Sequence, residues 1–120
     1  MSTEQVTLQM VQEAQERLKG VAQKTGLSYT NSVSDLAGCD VWLKLENLQR
    51  TGSFKLRGAY NKVASLTTEE REKGVIAASA GNHAQGVALA ASVYGCQSTI
   101  CMPKHAPLTK VMATRGYGAN

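Results

Sequence analysis

Short strand-like runs alternate with helical segments from Val41 onward, and this alternation constrains the fold more than any other feature. The runs VWLKLE, VIAAS and STICMP are rich in strand-forming residues, and each is followed by a connection and an amphipathic segment. Strands that alternate with helices in this way form βαβ units with parallel strands. The sequence therefore predicts an α/β fold, a mostly parallel sheet with flanking helices. The predicted strands are 41–46, 75–79 and 98–103, and the predicted helices are 53–66, 83–94 and 107–115, with a short helical turn at 67–73.

The ends of the predicted helices follow from residues that begin or stop helices. Ser53 is the expected N-cap of the helix over 53–66, and Pro107 is expected at the first position of the last helix, with Gly116 just past its end. In the first fifty residues we predict a helix over 7–19 that Gly20 closes, and a short helix over 32–36. The first helix carries an apolar stripe that should pack on a sheet or a partner, formed by Val11, Ala14, Leu18, Val21 and Ala22.

Composition argues against several classes of protein. The net charge of +4 is spread along the chain, and a single Trp and a single Phe leave little to stack on bases, so nucleic-acid binding is not expected. The three cysteines form no C-x-x-C pair, which favours reduced thiols and a cytoplasmic protein. The first twenty residues lack a continuous apolar stretch, so neither a signal peptide nor a membrane span is predicted. His83 and His105 lack the spacing of metal ligands, and no metal site is expected.

Lys55 lies in the first turn of a predicted helix, where a positive charge is unfavourable. The helix dipole and the nearby Arg57 should disfavour the ammonium and leave more of the free amine, as a Schiff-base lysine requires. Phe54 beside it could form one wall for a planar cofactor. The alternative is a solvated lysine whose aliphatic stem covers apolar surface, which is the commoner role of a helical lysine.

The stretch SAGNHAQG, 79–86, falls where a strand ends and a helix begins, the place at which open α/β sheets bind ligands. Free backbone N–H groups there, together with the Ser79 hydroxyl and the Asn82 amide, would bind a carboxylate or a phosphate. The alternative is an ordinary turn in which Ser and Asn only cap the helix. Arg50 and Thr51, just before the other helix, could bind an anion or only cap the turn.

The segment KLENLQRTGSFKLRGA, followed by SAGNHAQG, resembles the threonine/serine dehydratases of the fold type II pyridoxal-phosphate (PLP) enzymes. The resemblance runs from the first helix through MPKHAPLTKV. It implies PLP as cofactor, with Lys55 as the lysine that binds it covalently and then acts as acid and base on the substrate. It also implies that Phe54 packs beside PLP and that Asn82 bonds the hydroxyl of its ring. The loop implied to hold the carboxylate of an amino-acid substrate consists of Ser79, Ala80, Gly81, Asn82 and His83.

The resemblance further implies an ammonia-lyase that converts L-threonine or L-serine to a 2-oxo acid and ammonia. Family racemases that resemble this group carry a serine where this chain has Ala80, so the dehydratase branch is favoured. Bacterial catabolic members are activated by AMP and assemble as homo-oligomers. The positions that resemble the AMP site are Arg50, Thr51, Gln85 and Tyr117.

The alternating pattern lacks the strand that its last helix should lead into, so we expect a partial fold type II architecture. Residues 1–50 would pack on a large domain that is mostly outside this sequence, and residues 51–120 would form an incomplete small domain. The Gly-rich loop that binds the cofactor phosphate in the family is not found in the sequence. A competing hypothesis is a truncated, non-catalytic module that keeps a nucleotide site or an interaction surface.

Overall fold

The structure, a computed structural model, describes residues 5–120. Within them, helices and strands alternate as predicted over most of the chain. The helices are α1 (Leu8–Arg17), α2 (Asn31–Ala37), α3 (Lys55–Ala64), α4 (Thr68–Glu72), α5 (Asn82–Val93) and α6 (Leu108–Gly116), and a 3₁₀ turn spans Glu46–Leu48. The strands are β1 (Leu27–Tyr29), β2 (Trp42–Lys44), β3 (Val75–Ala78) and β4 (Ser98–Cys101).

Strands β3 and β4 form the predicted parallel pair, with Val75 opposite Ser98 and Ala78 opposite Cys101. The free edge of β4 is extended by Asn120, whose N–H donates to the Ser98 carbonyl at 2.9 Å and whose carbonyl accepts from Ile100 N–H at 2.8 Å. The chain after α6 therefore occupies the position of a third strand beside β4.

The strand predicted at 41–46 does not join this parallel sheet, and that part of the prediction is wrong. Its core, β2, pairs antiparallel with β1, a strand in a stretch for which none was predicted. The buried Ser34 of α2 connects the two ends, because its Oγ donates to Thr30 O at 2.7 Å and accepts from Val41 N–H at 2.8 Å. Side chains of both strands are exposed throughout, so the pair does not bury one face against the α3–α5 core.

The core lies between α3 and α5 and is built from small and medium side chains. Leu56, Tyr60 and Val63 of α3 and Ala90 of α5 are buried together. Leu18 and Val21 pack against this cluster, so the apolar stripe of the first helix meets helices rather than a sheet. Its N-terminal end remains open, since Val11 is 54% exposed.

Three helices have ends that differ from the sequence predictions. Helix α3 begins at Lys55 with Phe54, not Ser53, as its N-cap; no side chain caps this end, and the Ser53 hydroxyl has no hydrogen-bond partner among the described residues. In α6, Pro107 is the cap rather than the first helical residue, and Gly116 is the last residue rather than the one beyond. Helix α1 ends at Arg17 with Leu18 as its C-cap, so Gly20, at φ 76°, lies in the turn that follows. Among residues 5–120, no helix combines the length and apolar character needed to cross a bilayer.

Candidate cofactor and substrate site

Lys55 lies in the first turn of α3, as the sequence predicted; it is the first residue of the helix, and it is exposed. Its Nζ lies 5.0 Å from the centroid of the Phe54 ring, and Phe54 is itself 58% exposed. An ammonium over an aromatic face gains modest stabilisation from the ring. The structure thus presents an amine and a flat apolar ring side by side at the start of a helix.

Arg57 does not act on Lys55 as a free charge, which corrects the electrostatic expectation. Its guanidinium forms two hydrogen bonds with the Glu46 carboxylate, Nε to Oε2 at 2.8 Å and Nη2 to Oε1 at 2.9 Å. Glu46 also accepts from Thr25 and Gln49. Hydrogen bonding from Arg57 lowers the pKa of Glu46 to about 2, against the desolvation that would raise it, and Glu46 in turn raises the pKa of Arg57. The helix start, not Arg57, remains as the source of positive potential at Lys55.

Ser79 follows β3 directly and organises the turn into α5. Its Oγ accepts from the backbone N–H groups of Gly81 and Ala84, both at 3.3 Å. Its backbone N–H donates to Cys101 O of β4 at 3.1 Å. The Ser79 oxygen therefore caps the helix, and its hydroxyl proton remains available as a donor.

The same turn leaves two backbone donors open. In the described part of the chain, the N–H groups of Asn82 and His83 have no hydrogen-bond partner, and both residues are exposed. Unpaired N–H groups at a helix start, reinforced by the helix dipole, form a binding site for an anion. The turn thus combines a capping serine, the alternative considered from the sequence, with the free N–H groups of the ligand-binding hypothesis, and the role of the turn stays a prediction.

A cavity of about 330 Å³, open to solvent, brings Lys55 and the start of α5 together. It is lined by Phe54, Lys55, Arg57, Gly58, Ala59 and His83. The two helices can approach closely because Gly86 of α5 has no side chain: a Cβ there would lie 3.2 Å from the Lys55 carbonyl oxygen. Lys55 and His83, 28 residues apart in the sequence, therefore border one cavity.

Asn82 is the first residue of α5, and its side chain is held from a third helix. Its Oδ1 accepts a hydrogen bond from Lys110 Nζ of α6 at 2.8 Å.

Two buried hydroxyls lie near the start of α3, those of Thr51 and Ser53, and neither has a hydrogen-bond partner within the described residues. A buried polar atom of this kind marks a place where a partner is missing.

The residues predicted for the AMP site are only partly brought together. The Tyr117 hydroxyl, at the end of α6, donates to Arg50 O at 3.0 Å, and Thr51 is adjacent in the chain. Gln85 is buried in α5, and no hydrogen bond joins it to those three in the part of the chain that the structure covers. The role of these residues stays a prediction.

Comparison with known proteins identifies the family. Residues 18–120 match the family described as pyridoxal-phosphate dependent enzyme. The chain is 57% identical to L-threonine ammonia-lyase of Thermotoga maritima and 50% identical to the catabolic L-threonine dehydratase of Escherichia coli K12. Each match covers 95% of this chain but only 28% and 35% of those relatives. The chain thus spans about a third of the length of the curated relatives that it matches.

Solved structures show the same relationship. The fold matches serine racemase from Dictyostelium discoideum with a TM-score of 0.89 and 42% identity, over 96% of this chain and 38% of that one. The chain therefore belongs to the family of PLP-dependent enzymes, and its architecture is part of the fold type II structure that the sequence predicted.

The residues at the cavity fit PLP chemically. Lys55 supplies a primary amine for an aldehyde, the exposed Phe54 ring supplies a flat apolar surface, and Asn82 supplies amide donors for a hydroxyl oxygen. The free N–H groups at the start of α5 suit a carboxylate. These groups thus suit the aldehyde, one face and the hydroxyl of the ring, and a substrate carboxylate.

Three features of the site were missed by the sequence predictions. A glycine inside an otherwise good helix, Gly86, was the signal of a close helix contact. The ion pair of Arg57 with Glu46 and the contact of Lys110 with Asn82 gave no signal, since each joins residues of different elements with no fixed spacing.

Proposed function

We propose that the protein is a PLP-dependent ammonia-lyase that converts L-threonine or L-serine to a 2-oxo acid and ammonia. The observation that carries the proposal is the shared cavity of Lys55 and the start of α5, which sets an amine beside an anion-binding helix terminus. The names of relatives at 57% and 50% identity, a threonine ammonia-lyase and a threonine dehydratase, support the same activity.

In this proposal the α5 start holds the substrate. The N–H groups of Asn82 and His83 donate to the carboxylate, and the Ser79 hydroxyl proton supplies a further donor. Ala80 and Gly81 complete the turn without bulky side chains, which leaves the carboxylate direct access to backbone donors. These contacts fix the substrate by its α-carboxylate, common to threonine and serine, so both substrates fit.

Lys55 has two roles in the proposal. It would hold the cofactor through Nζ, and as a free amine Nζ would accept the proton from the substrate α-carbon. PLP, when bound, supplies the electron sink that makes this proton acidic. The β-hydroxyl would leave as water with a proton equivalent to the one removed from the α-carbon, and one water would be consumed as the 2-oxo acid and ammonia form, so the overall reaction balances.

A racemase is the second candidate, because serine racemase is among the structural neighbours. Racemisation requires a second group that returns a proton to the opposite face of the α-carbon. The position after Ser79 is Ala80, which has no ionisable or hydroxyl group to do so. This difference favours elimination over racemisation.

The test uses the protein produced from the full length of its gene. Wild type should show the visible absorbance of protein-bound PLP and release 2-oxo acid from L-threonine or L-serine. Lys55→Ala should lose that absorbance and at least about 10²-fold in activity, as expected for loss of an acid–base group. Lys62→Ala, on an exposed face of the same helix, is the matched control and should retain both.

Several results would contradict the proposal. D-Serine formed faster than 2-oxo acid would favour the racemase. AMP binding, measured by calorimetry in a protein that never acquires PLP absorbance, would favour the non-catalytic module.

We also propose that AMP regulates the protein. The contact that supports this is the hydrogen bond between Tyr117 and Arg50.

A further inference from the structure

One hydrogen bond in the site joins two elements that the proposed chemistry does not otherwise connect. Lys110 Nζ, on α6, donates to Asn82 Oδ1, on the first residue of α5, at 2.8 Å. The bond spans 28 residues of sequence. It is thus a tertiary contact that fixes a site residue from outside the cavity.

The chemistry of the two groups determines which way the Asn82 side chain faces. An ammonium can only donate, whereas an amide accepts through oxygen and donates through nitrogen. Lys110 therefore binds the oxygen end and leaves both Nδ2 hydrogens unpaired in the described chain. Without Lys110, the amide could rotate about its last torsion and present its oxygen instead, since that torsion has two broad, similar states.

The place of Lys110 is not explained by helix electrostatics. Its ammonium lies beside the N-terminus of α5, where a cation is unfavourable. The turn of α6 that carries Lys110 is nevertheless held in place, because the hydroxyl of the buried Thr114 donates a hydrogen bond to the Lys110 carbonyl oxygen at 2.8 Å. The Lys110 ammonium also favours a negatively charged oxygen as the acceptor of a hydrogen bond from the Asn82 amide.

We infer that Lys110 is a positioning residue, which acts through Asn82 by turning the amide donors toward the ring oxygen of the cofactor. The inference rests on the proposed function, in which Asn82 binds that oxygen. Lys110 is not among the residues that line the cavity.

A double-mutant cycle in the protein from its full-length gene tests the inference. Lys110→Met should weaken PLP binding about tenfold, the lower end for loss of a hydrogen bond to a charged group. Lys110→Arg, which keeps the charge and the donors, should restore most of the affinity. In the Asn82→Ala background, Lys110→Met should change the affinity less than about twofold, because the residue through which it acts is absent. Lys104→Met, an exposed lysine before α6, is the control and should bind PLP as wild type does.

A second readout needs no cofactor. In the apoprotein, the NMR signals of the Asn82 side-chain amide should shift and broaden in Lys110→Met but not in Lys104→Met. Equal losses of PLP affinity in both backgrounds, no loss in either, or unchanged Asn82 signals would overturn the inference. If Lys110→Met fails to fold, Lys110→Ala, which also lacks a donor, serves in its place with the same criteria. Wild type that binds no PLP would refute the proposed function, while the Asn82 signals would still decide whether Lys110 orients the amide.

Discussion

Glu46 shows how a single residue connects the N-terminal segment to the candidate site. Its carboxylate, at the start of the 3₁₀ turn after β2, binds Arg57 of α3, two residues after Lys55. Only 19% of the Glu46 side chain is exposed, so this ion pair is better shielded than an ordinary surface pair. Arg57 is therefore a structural partner of Glu46 and not a free charge in the cavity.

This pair predicts a pH-dependent loss of stability. The folded pKa of Glu46, about 2, lies below its ordinary value of 4.5, so its stabilising effect is complete above about pH 4.5 and is lost as the pH falls toward 2. Glu46→Gln should lower the free energy of unfolding by about 1–3 kcal/mol at pH 7, since it removes a charged hydrogen-bond partner. Urea unfolding from pH 7 to pH 2 measures both effects.

The matched control is Glu72→Gln, at the exposed end of α4. It should change the stability at pH 7 by less than about 0.5 kcal/mol. A wild-type stability that falls no more between pH 4.5 and pH 2 than that of Glu46→Gln would contradict this role of Glu46.

At the scale of elements, the packing of α3 on α5 decides the geometry of the site. Gly86 allows α5 to lie against the first turn of α3, with the Lys55 carbonyl and the Ala59 Cβ each 3.2 Å from where its Cβ would be. Because Lys55 and the free N–H groups of α5 lie at the starts of these two helices, their separation follows from this contact.

Gly86→Ala should therefore destabilise the protein although alanine favours helices. Overpacking against a backbone carbonyl costs about 1–3 kcal/mol, which exceeds the gain of about 1 kcal/mol in helix propensity. Gly58→Ala in α3 is the control, because its Cβ would meet nothing within 4 Å. Only the gain in helix propensity should therefore remain. Thermal unfolding would show opposite shifts of Tm for the two variants, and a Gly86→Ala protein as stable as Gly58→Ala would disprove the close contact.

The two strand pairs lie on either side of residue 50, and the division of the chain into two domains stays a prediction. The antiparallel pair β1–β2 lies in residues 1–50 and the parallel pair β3–β4 in residues 51–120. The two parts are joined through the Glu46–Arg57 pair and through Leu18 and Val21, which pack on the α3–α5 core.

The molecule as a whole exposes more surface than a closed domain of its size. Its accessible area is 8353 Å², whereas about 6,300 Å² is expected for a folded chain of 12.8 kDa. Its radius of gyration is 16.7 Å, against about 13.6 Å for a compact domain of this length. Much of the excess is apolar, including Leu27 at 64% and Trp42 at 58% exposure on the β1–β2 pair.

Such a surface predicts association when the 120-residue chain is produced by itself. Exposed apolar patches promote contacts between molecules, so sedimentation should show a mean mass that rises with concentration. Replacing both Leu27 and Trp42 by Thr should reduce the association. Lys73→Thr, an exposed polar position after α4, is the control and should not. A chain that stays monomeric at all concentrations would contradict the prediction.

The sequence by itself determined the local structure and the chemistry at the helix starts. The sequence pattern located α3, α5 and α6 and the strands β3 and β4. It could do so because the spacing of apolar residues within one short segment indicates a helix or a strand. The motifs placed Lys55 at the start of α3 and Asn82 at the start of α5 and carried the resemblance to the PLP-dependent family. Local sequence is sufficient there because helix starts are defined by a few consecutive residues.

Only the tertiary structure decided which residues meet across elements. The antiparallel pairing of β2 with β1, the Glu46–Arg57 ion pair, the Gly86 contact with Lys55 and the Lys110–Asn82 hydrogen bond all join segments without a fixed spacing in sequence. Their partners depend on how helices and strands pack in three dimensions, and no periodic pattern records that packing. The sequence thus predicts an amine and an anion-binding turn, and the packing of α3, α5 and α6 brings them to one cavity.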